Sequence, residues 1–321
     1  MTRVSIFGGT GLIGTHLTLR LLAQGAKVTC IDIREPDLSP LLAEAAGNPD
    51  FEFIRHNVTR PLKIECDRIY NLASPSYMHH DPSQPVTTLQ TNILGSIRTL
   101  DLARRNRARL LFASSGDIYL THNGISSLER HRDDSFYSIL SEAKRSAEAL
   151  HRAYIRQYGV DARVARIYNT YGTGAQIDDG RVVTSIIRHA LDNSDIMING
   201  AGDRIRTLCW VGDTVEALMR LMELDASKAP FALNIGGYHE ITIEQLAATV
   251  IRLTGSRSRI VTGDPRSNDM RRKVPDLQLT RRTIDWQPTV SLGEGLAMTI
   301  EYMRREYVRE HVAPPTWVET C

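Results

Sequence analysis

Apolar and polar positions follow two different periods along the first half of the chain. Short apolar runs, typical of buried strands, cover residues 4–7, 27–33, 51–55, 68–72, 110–113 and 162–167. Between several of them the apolar residues recur at helical spacing, which predicts helices over about 12–24, 85–105 and 138–158. Parallel strands that are buried on both faces need helical crossovers. The alternation therefore predicts an α/β fold with a Rossmann-type, doubly wound parallel sheet.

The pattern is looser beyond about residue 170, where glycine-containing loops separate shorter elements. A helix is predicted over 181–192, a strand over 231–235 and a helix over 243–254, followed by a polar stretch over 255–288. We predict a first domain over residues 1–170, to which a segment at about 205–235 returns. Residues 171–312 mainly form a smaller C-terminal lobe, and residues 313–321 form a tail.

Composition narrows the class of protein. The chain has 321 residues, a formal net charge of +2, 42% hydrophobic residues and 24% charged residues, which is typical of a globular protein. The balanced charge argues against a nucleic-acid partner. The chain enters a strand almost at once and has no apolar run near the roughly 18 residues of a membrane span, so we expect a cytoplasmic protein without a signal peptide or membrane contact.

The four cysteines are widely separated and show no metal-ligand spacing. They are Cys30, Cys66, Cys209 and Cys321. We therefore expect free thiols and no metal site.

A glycine-rich turn joins the first predicted strand to the first predicted helix. It consists of Gly8, Gly11, Leu12, Ile13 and Gly14. Such a turn brings backbone N–H groups and the positive end of the helix dipole to a pyrophosphate. Asp32 ends the second strand, where a carboxylate binds the adenosine ribose and repels a 2′-phosphate. Together the turn and Asp32 predict NAD rather than NADP as the cofactor. The nearby Arg34 would weaken this preference.

Several dispersed segments carry a family resemblance. They are residues 8–14, 67–75, 91–92, 162–172, 179–183, 204–206 with 210–211, 284–288 and the lysine at 144. The chain resembles the extended short-chain dehydrogenase/reductases that act on nucleotide sugars, and most of all the UDP-glucuronate decarboxylases. The resemblance implies bound NAD and a substrate-binding C-terminal lobe. It also implies a UDP-sugar substrate that is oxidised to a 4-ketone and then decarboxylated, epimerised or dehydrated. A homodimer through the helices over about 85–105 and 138–158 is implied as well.

The resemblance also implies roles for individual residues. Besides the glycine turn and Asp32, the cofactor-binding residues would be Asn57, Leu72, Ala73, Ser74, Asn92 and Lys144. The substrate-binding residues would be Ser115, Asn169, Arg181, Val182, Arg206, Arg272 and Lys273. Guanidinium groups suit the phosphates of a nucleoside diphosphate because they form bidentate hydrogen bonds.

The chain departs from the family at the usual proton-transfer residue. In the family, a tyrosine four residues before the lysine takes the hydroxyl proton of the sugar, but Leu140 occupies this position before Lys144. The nearest preceding phenol is Tyr137, about 10 Å from Lys144 along a helix axis. Tyr137 would replace the missing phenol only if the helix began late and the side chain folded inward, and otherwise it is an ordinary aromatic residue.

Other departures lie after the fifth strand and in the sugar pocket. The family pattern Ser-Thr-Ser-Glu becomes 114–117 Ser-Ser-Gly-Asp, so Gly116 replaces a serine and Asp117 a glutamate. Asp117 is an acid or base candidate if it lies in a closed pocket, and otherwise it caps a helix or pairs with a cation. The histidines at 79 and 80 either meet an anionic substrate or belong to a solvated loop. Asn199 stands where the family covers the uracil, so another base is also compatible.

Two functions remain open from the sequence. The first is an NAD-dependent nucleotide-sugar enzyme with an altered active site, in which Lys144, Ser115 and Asp117 react and Tyr137 is a further candidate. The second is a non-catalytic homologue that binds NAD and a nucleotide sugar in a regulatory role. The enzyme is the leading interpretation. The lost tyrosine, serine and glutamate motivate the alternative, and both functions are compatible with Lys144, Arg206 and the glycine turn.

Overall fold

The structure is a computed structural model that describes residues 1–35, 40–75, 85–119, 136–264 and 271–312, with the backbone alone at 136–138 and 309–312. The histidine pair at 79 and 80 and the predicted tail lie outside these residues. Within them, no helix combines the length and the apolar character needed to cross a membrane.

A seven-stranded sheet, parallel throughout, forms the centre of the larger lobe. Its strand order is β11-β6-β5-β4-β1-β2-β3. The strands are β1 (Arg3–Phe7), β2 (Lys27–Asp32), β3 (Phe51–Arg55), β4 (Arg68–Asn71), β5 (Arg109–Ser115), β6 (Ala162–Ile167) and β11 (Ala232–Ile235). The strand order reverses direction at β1, which confirms the predicted doubly wound sheet. Ligands of such sheets bind at the carboxyl ends of the strands near this reversal.

Helices cover both faces of this sheet. They are α1 (Leu12–Ala23), α2 (Pro40–Ala43), α3 (Pro85–Asn106), α4 (Phe136–Tyr158) and α6 (Val211–Glu223). One core joins α1 and α6 to the sheet around Leu17, Val28 and Leu218, while the other joins α3 and α4 around Leu100 and Phe112. Burial on both faces explains why the strands read as continuous apolar runs.

Within the described residues, the smaller lobe consists of short strands and four helices. Its helices are α5 (Val182–Leu191), α7 (Ile243–Thr254), α8 (Gln278–Ile284) and α9 (Leu292–Val312). Its strands are β7 (Thr170–Tyr171), β8 (Ile196–Asn199), β9 (Ile205–Thr207), β10 (Cys209–Trp210), β12 (Glu240–Thr242), β13 (Ile260–Gly263) and β14 (Arg272–Lys273). The order β12-β9-β14 brings Lys273 beside Arg206. A separate core around Ile187, Leu246 and Ile300 holds this lobe together.

Three cysteines in the described residues are free and buried, as expected. They are Cys30, Cys66 and Cys209, and burial raises the pKa of each thiol, to about 12, 11 and 12 respectively. Cys321 lies outside the described residues. No group of three histidine, cysteine or carboxylate side chains suited to a metal is found in the part of the chain that the structure describes.

Candidate functional site

A cavity of about 500 Å³ opens at the carboxyl ends of the large sheet, where the smaller lobe meets it. Both lobes contribute to its wall. The lining includes Leu12, Ile13, Leu72, Ser74, Ser115, Asp117, Leu140, Lys144 and Tyr168 from the first domain, and Asn169, Arg181, Val182, Arg204, Arg206 and Lys273 from the segment after β6.

The glycine turn has a shape that only glycine permits. Gly8 adopts a φ of +80°, and a Cβ there would lie 2.8 Å from the backbone N of Ala73. A Cβ on Gly14 would collide with the carbonyl oxygen of Gly8. Gly11 is the N-cap of α1, and no described side chain caps this helix end. The first N–H groups of α1 therefore face the cavity and fit the pyrophosphate of a dinucleotide.

Asp32 is fixed by backbone N–H groups at the end of β2. Its Oδ2 accepts from the N–H of Thr10 at 3.1 Å, and its Oδ1 accepts from the N–H of Ile33 at 2.7 Å. Arg34 turns to the smaller lobe, where its Nη1 donates to Gln176 at 3.2 Å. The carboxylate therefore lies beside the phosphate-binding turn, as the ribose of NAD requires.

The remaining predicted cofactor residues differ in position. Leu72 and Ser74 line the cavity, and the backbone of Ala73 packs against the glycine turn. Asn92 on α3 donates to Ser74 Oγ at 3.4 Å, and its buried Oδ1 has no partner among the described residues. Asn57 is exposed after β3 and does not line the cavity.

Lys144 is a buried amine at the centre of the site. Its Nζ donates to the carbonyl oxygen of Ala113 at 2.6 Å and lies 4.8 Å from the ring centroid of Phe112. Burial lowers the pKa of Lys144 to about 7, and the negative charge of Glu148, one helical turn away, opposes this shift. Near neutral pH a large share of Lys144 is therefore the uncharged amine, which can accept a proton.

Glu148 is itself held by a compact network behind Lys144. Arg166 donates to both of its carboxylate oxygens, at 3.0 and 2.7 Å, and Ser114 Oγ donates to Oε1 at 2.7 Å. Arg166 and Ser114 thus orient Glu148, the carboxylate that raises the pKa of Lys144 among the described residues.

Ser115, Asp117 and Lys273 form a hydrogen-bonded cluster across the two lobes. Ser115 Oγ donates to Asp117 Oδ2 at 2.8 Å and accepts from the N–H of Asp117 at 3.1 Å. The ammonium of Lys273 donates to Asp117 Oδ1 at 2.5 Å, and both side chains are largely buried. The structure therefore gives Asp117 the cation partner that the sequence left as one of two alternatives.

The side chain one helical turn before Lys144 on α4 is not a phenol. Leu140 lines the cavity one helical turn before Lys144, where it offers no proton. Tyr137 lies in the first turn of α4, which begins at Phe136, so the helix does not start late. The side chain of Tyr137 lies outside the described residues.

Several cationic side chains from the segment after β6 line the cavity. Arg206 is 8% exposed, and its Nη1 donates to the carbonyl oxygen of Ile205 at 2.8 Å. Arg181 precedes α5 and is half-exposed, and its backbone N–H donates to Asp179 Oδ1 at 2.9 Å. Val182 and Asn169 complete this part of the wall.

Arg272 does not join this group. Its guanidinium forms a bidentate pair with Glu240 on β12, on the other side of β9, and lies outside the cavity lining. Successive side chains of a strand point to opposite faces, so placing Lys273 in the cavity turns Arg272 away from it. The expectation that both residues face the substrate is corrected for Arg272.

Arg204 and Tyr168 are among the lining residues that were not predicted from the sequence. Arg204 lies two positions before Arg206, and this spacing, which repeats on one face of an extended chain, was the available signal. Tyr168 directly follows β6, and its place at the carboxyl edge of the sheet was the only signal.

Comparison with known proteins agrees with this geometry. Residues 4–236 match the model of the NAD dependent epimerase/dehydratase family. UDP-glucuronic acid decarboxylase 6 of Arabidopsis thaliana is 38% identical over 94% of this chain and 89% of its own length. UDP-glucuronic acid decarboxylase 1 of Xenopus tropicalis is 36% identical over 97% of this chain and 74% of its own length.

A solved structure of MoeE5 in complex with UDP-glucuronic acid and NAD superposes on the chain with a TM-score of 0.79. The two are 25% identical, and the match covers 95% of this chain and 99% of that one. The parallel sheet, the glycine turn and these matches lead to one conclusion: the chain belongs to the NAD dependent epimerase/dehydratase family.

Proposed function

We propose that the protein is an NAD-dependent enzyme that modifies the sugar of a UDP-hexuronic acid or a related UDP-sugar. The observation that carries the proposal is Lys144, a buried amine with a pKa of about 7 in the same cavity as the glycine turn, Ser115 and Asp117. A general base acts best when its pKa is close to the working pH. The relatives named above are UDP-glucuronic acid decarboxylases, which supports a substrate of this class.

When bound, NAD⁺ would accept a hydride from a sugar carbon, and the resulting ketone would activate the neighbouring carbons. The protein residues then have separate tasks. The Nζ of Lys144 accepts the proton of the sugar hydroxyl, because Leu140 cannot. Ser115 Oγ has a remaining lone pair that accepts from a sugar hydroxyl, since its own proton goes to Asp117. Arg181, Arg204 and Arg206 bind the diphosphate.

The test is direct conversion of a substrate panel. Purified protein with NAD is incubated with UDP-glucuronate, UDP-galacturonate, UDP-glucose and UDP-N-acetylglucosamine, and products and solvent deuterium incorporation are followed by mass spectrometry. We expect conversion or exchange for at least one uronate. Lys144→Met should abolish it while UDP still binds, because the variant keeps the apolar stem and loses only the amine.

The alternative, a non-catalytic homologue, rests on Leu140 in the cavity wall. Nucleotide-sugar binding without conversion or exchange across the panel would support this alternative and reject the enzyme. Leu140→Tyr is a useful companion variant. If it gains UDP-glucuronate decarboxylation, the rest of the pocket suits that substrate.

We further propose a homodimer through α3 and α4. These helices pack against each other, and Leu94 and Tyr158 are among the larger apolar side chains exposed on them. Light scattering after gel filtration should give twice the mass of one chain, and a monomer at micromolar concentration would contradict the proposal.

A further inference from the structure

Tyr168 and Gly116 occupy neighbouring positions at the carboxyl edge of the sheet. The register of β5 and β6 pairs Ser115 with Ile167, so each strand continues into one of these two residues. A Cβ on Gly116 would lie 2.6 Å from Cζ of Tyr168 and within 2.8 Å of both Cε atoms. The phenol end of the ring therefore fills the space that a side chain at position 116 would use.

The ring is held in this position from its base. The N–H of Tyr168 donates to the carbonyl oxygen of Ile235 at 2.8 Å, in line with the pairing of β6 and β11. A Cβ on Gly236 would lie 2.9 Å from Cβ of Tyr168. Tyr168 is only 8% exposed and lines the cavity. Two glycines thus make room for one aromatic ring at the reacting end of the site.

The hydroxyl of Tyr168 differs from the polar groups of Ser115 and Lys144 in its hydrogen bonds. The proton of Ser115 goes to Asp117, and Lys144 donates to a backbone carbonyl. The Tyr168 hydroxyl donates to no described residue. Burial raises the pKa of Tyr168 to about 12, and the charges of Tyr119 and Asp117 act in the same direction. The phenol stays protonated at neutral pH and is available as a donor.

We propose that Tyr168 is a substrate-binding residue whose hydroxyl replaces the side chain absent at Gly116 and donates a hydrogen bond to an oxygen of the bound sugar. A sugar carries hydroxyl, ring and carboxylate oxygens, so this end of the cavity accepts an oxygen-rich group next to Asp117 and Lys273. The proposal rests on the proposed function, because it concerns the sugar part of the same nucleotide-sugar site.

Tyr168→Phe removes the hydroxyl and leaves the ring against Gly116, so the fold is retained. Titration calorimetry with NAD-loaded protein compares UDP with the uronate that the wild type binds. We expect the UDP-sugar affinity to fall about tenfold, the equivalent of one hydrogen bond, with UDP affinity unchanged. Tyr307→Phe is the matched control, since its hydroxyl bonds to Asp192 at the C-terminal end of α5, outside the cavity lining, and the change should alter neither affinity.

Gly116→Ala approaches the same question from the other side. Its methyl group displaces the phenol, so this variant should also bind the UDP-sugar more weakly while its affinity for UDP is unchanged. Unchanged UDP-sugar affinity in Tyr168→Phe, or an equal loss for UDP, would overturn the role of Tyr168. If the wild type binds no UDP-sugar, the proposed function fails and this inference fails with it. If the wild type binds the UDP-sugar and Tyr168→Phe binds it equally well, only the role of Tyr168 fails.

Discussion

Burial of Lys144 carries a free-energy cost that should appear in the pH dependence of stability. Its pKa is about 7 in the folded protein against 10.5 for an ordinary lysine. Between these pH values the unfolded chain binds a proton that the folded protein does not bind. The contribution of Lys144 to stability therefore rises with pH across this window and is constant below about pH 7. Lys144→Met removes the titrating group and keeps a similar apolar stem.

The size of the effect follows from the shift. Each pKa unit is worth about 1.4 kcal/mol, so the cost of Lys144 is about 5 kcal/mol at pH 6 and about 2 kcal/mol at pH 9. Loss of the hydrogen bond from Nζ to the carbonyl oxygen of Ala113 offsets about 1 kcal/mol of the gain. The variant should be more stable than the wild type by about 4 kcal/mol at pH 6 and by only about 1 kcal/mol at pH 9.

Urea unfolding of both proteins at pH 6, 7, 8 and 9, at one ionic strength and without added NAD, measures this difference. Lys228→Met is the control, because Lys228 is exposed in a loop and its replacement should give a small difference that does not change with pH. A difference between Lys144→Met and the wild type that is the same at all four pH values would refute the reasoning. So would a wild type that is the more stable protein at pH 6.

Two further predictions concern the turn and the lobe contact. Gly14→Ala should destabilise the fold by about 1–3 kcal/mol and abolish NAD binding in calorimetry, because its Cβ meets the Gly8 carbonyl oxygen. Gly47→Ala is the control, since a Cβ there meets open space and should change neither stability nor NAD binding. Equal losses in the two variants would contradict this. Asp117→Asn leaves the Lys273 ammonium largely buried without its carboxylate and should lower the free energy of unfolding in urea by about 1–3 kcal/mol. Adding Lys273→Met should recover part of this loss. Strictly additive losses would show that the two side chains do not couple.

The large sheet could be predicted because its strands, buried on both faces, are continuous apolar runs that alternate with segments of helical spacing. By contrast, no helix was predicted over Val211–Glu223, although α6 occupies it. Nine of the twelve residues from Val211 to Met222 are buried, many of them in the core shared by the sheet and α1. The polar face is narrow, with Glu216, Arg220 and Glu223 at helical spacing, and this signal was missed. The strands of the smaller lobe contain two to four residues, too few for an alternation to be seen.

The candidate site also has features that could be predicted from the sequence and features that could not. The glycine turn and Asp32 are local features of one strand-turn-helix-strand unit, so spacing along the chain was sufficient to predict them. The pairing of Asp117 with Lys273 joins residues 156 positions apart, and the opposite orientation of Arg272 depends on the pairing of β14 with β9. Only the folded chain determines such contacts, which is why the sequence assigned both cations to the substrate.

The two positions that the sequence predicts to differ from the family pattern, Leu140 and Gly116, lie at or beside one cavity. Leu140 lies one helical turn before Lys144, whose buried amine has a pKa of about 7. Gly116 directly precedes Asp117, and the phenol of Tyr168 fills the space that a side chain at position 116 would use. One group is thus poised to accept a proton and the other to keep one, which is the separation of pKa values that acid–base sites use. A buried amine that can accept a proton, in the same cavity as a phenol that stays protonated, favours the enzyme over the non-catalytic homologue.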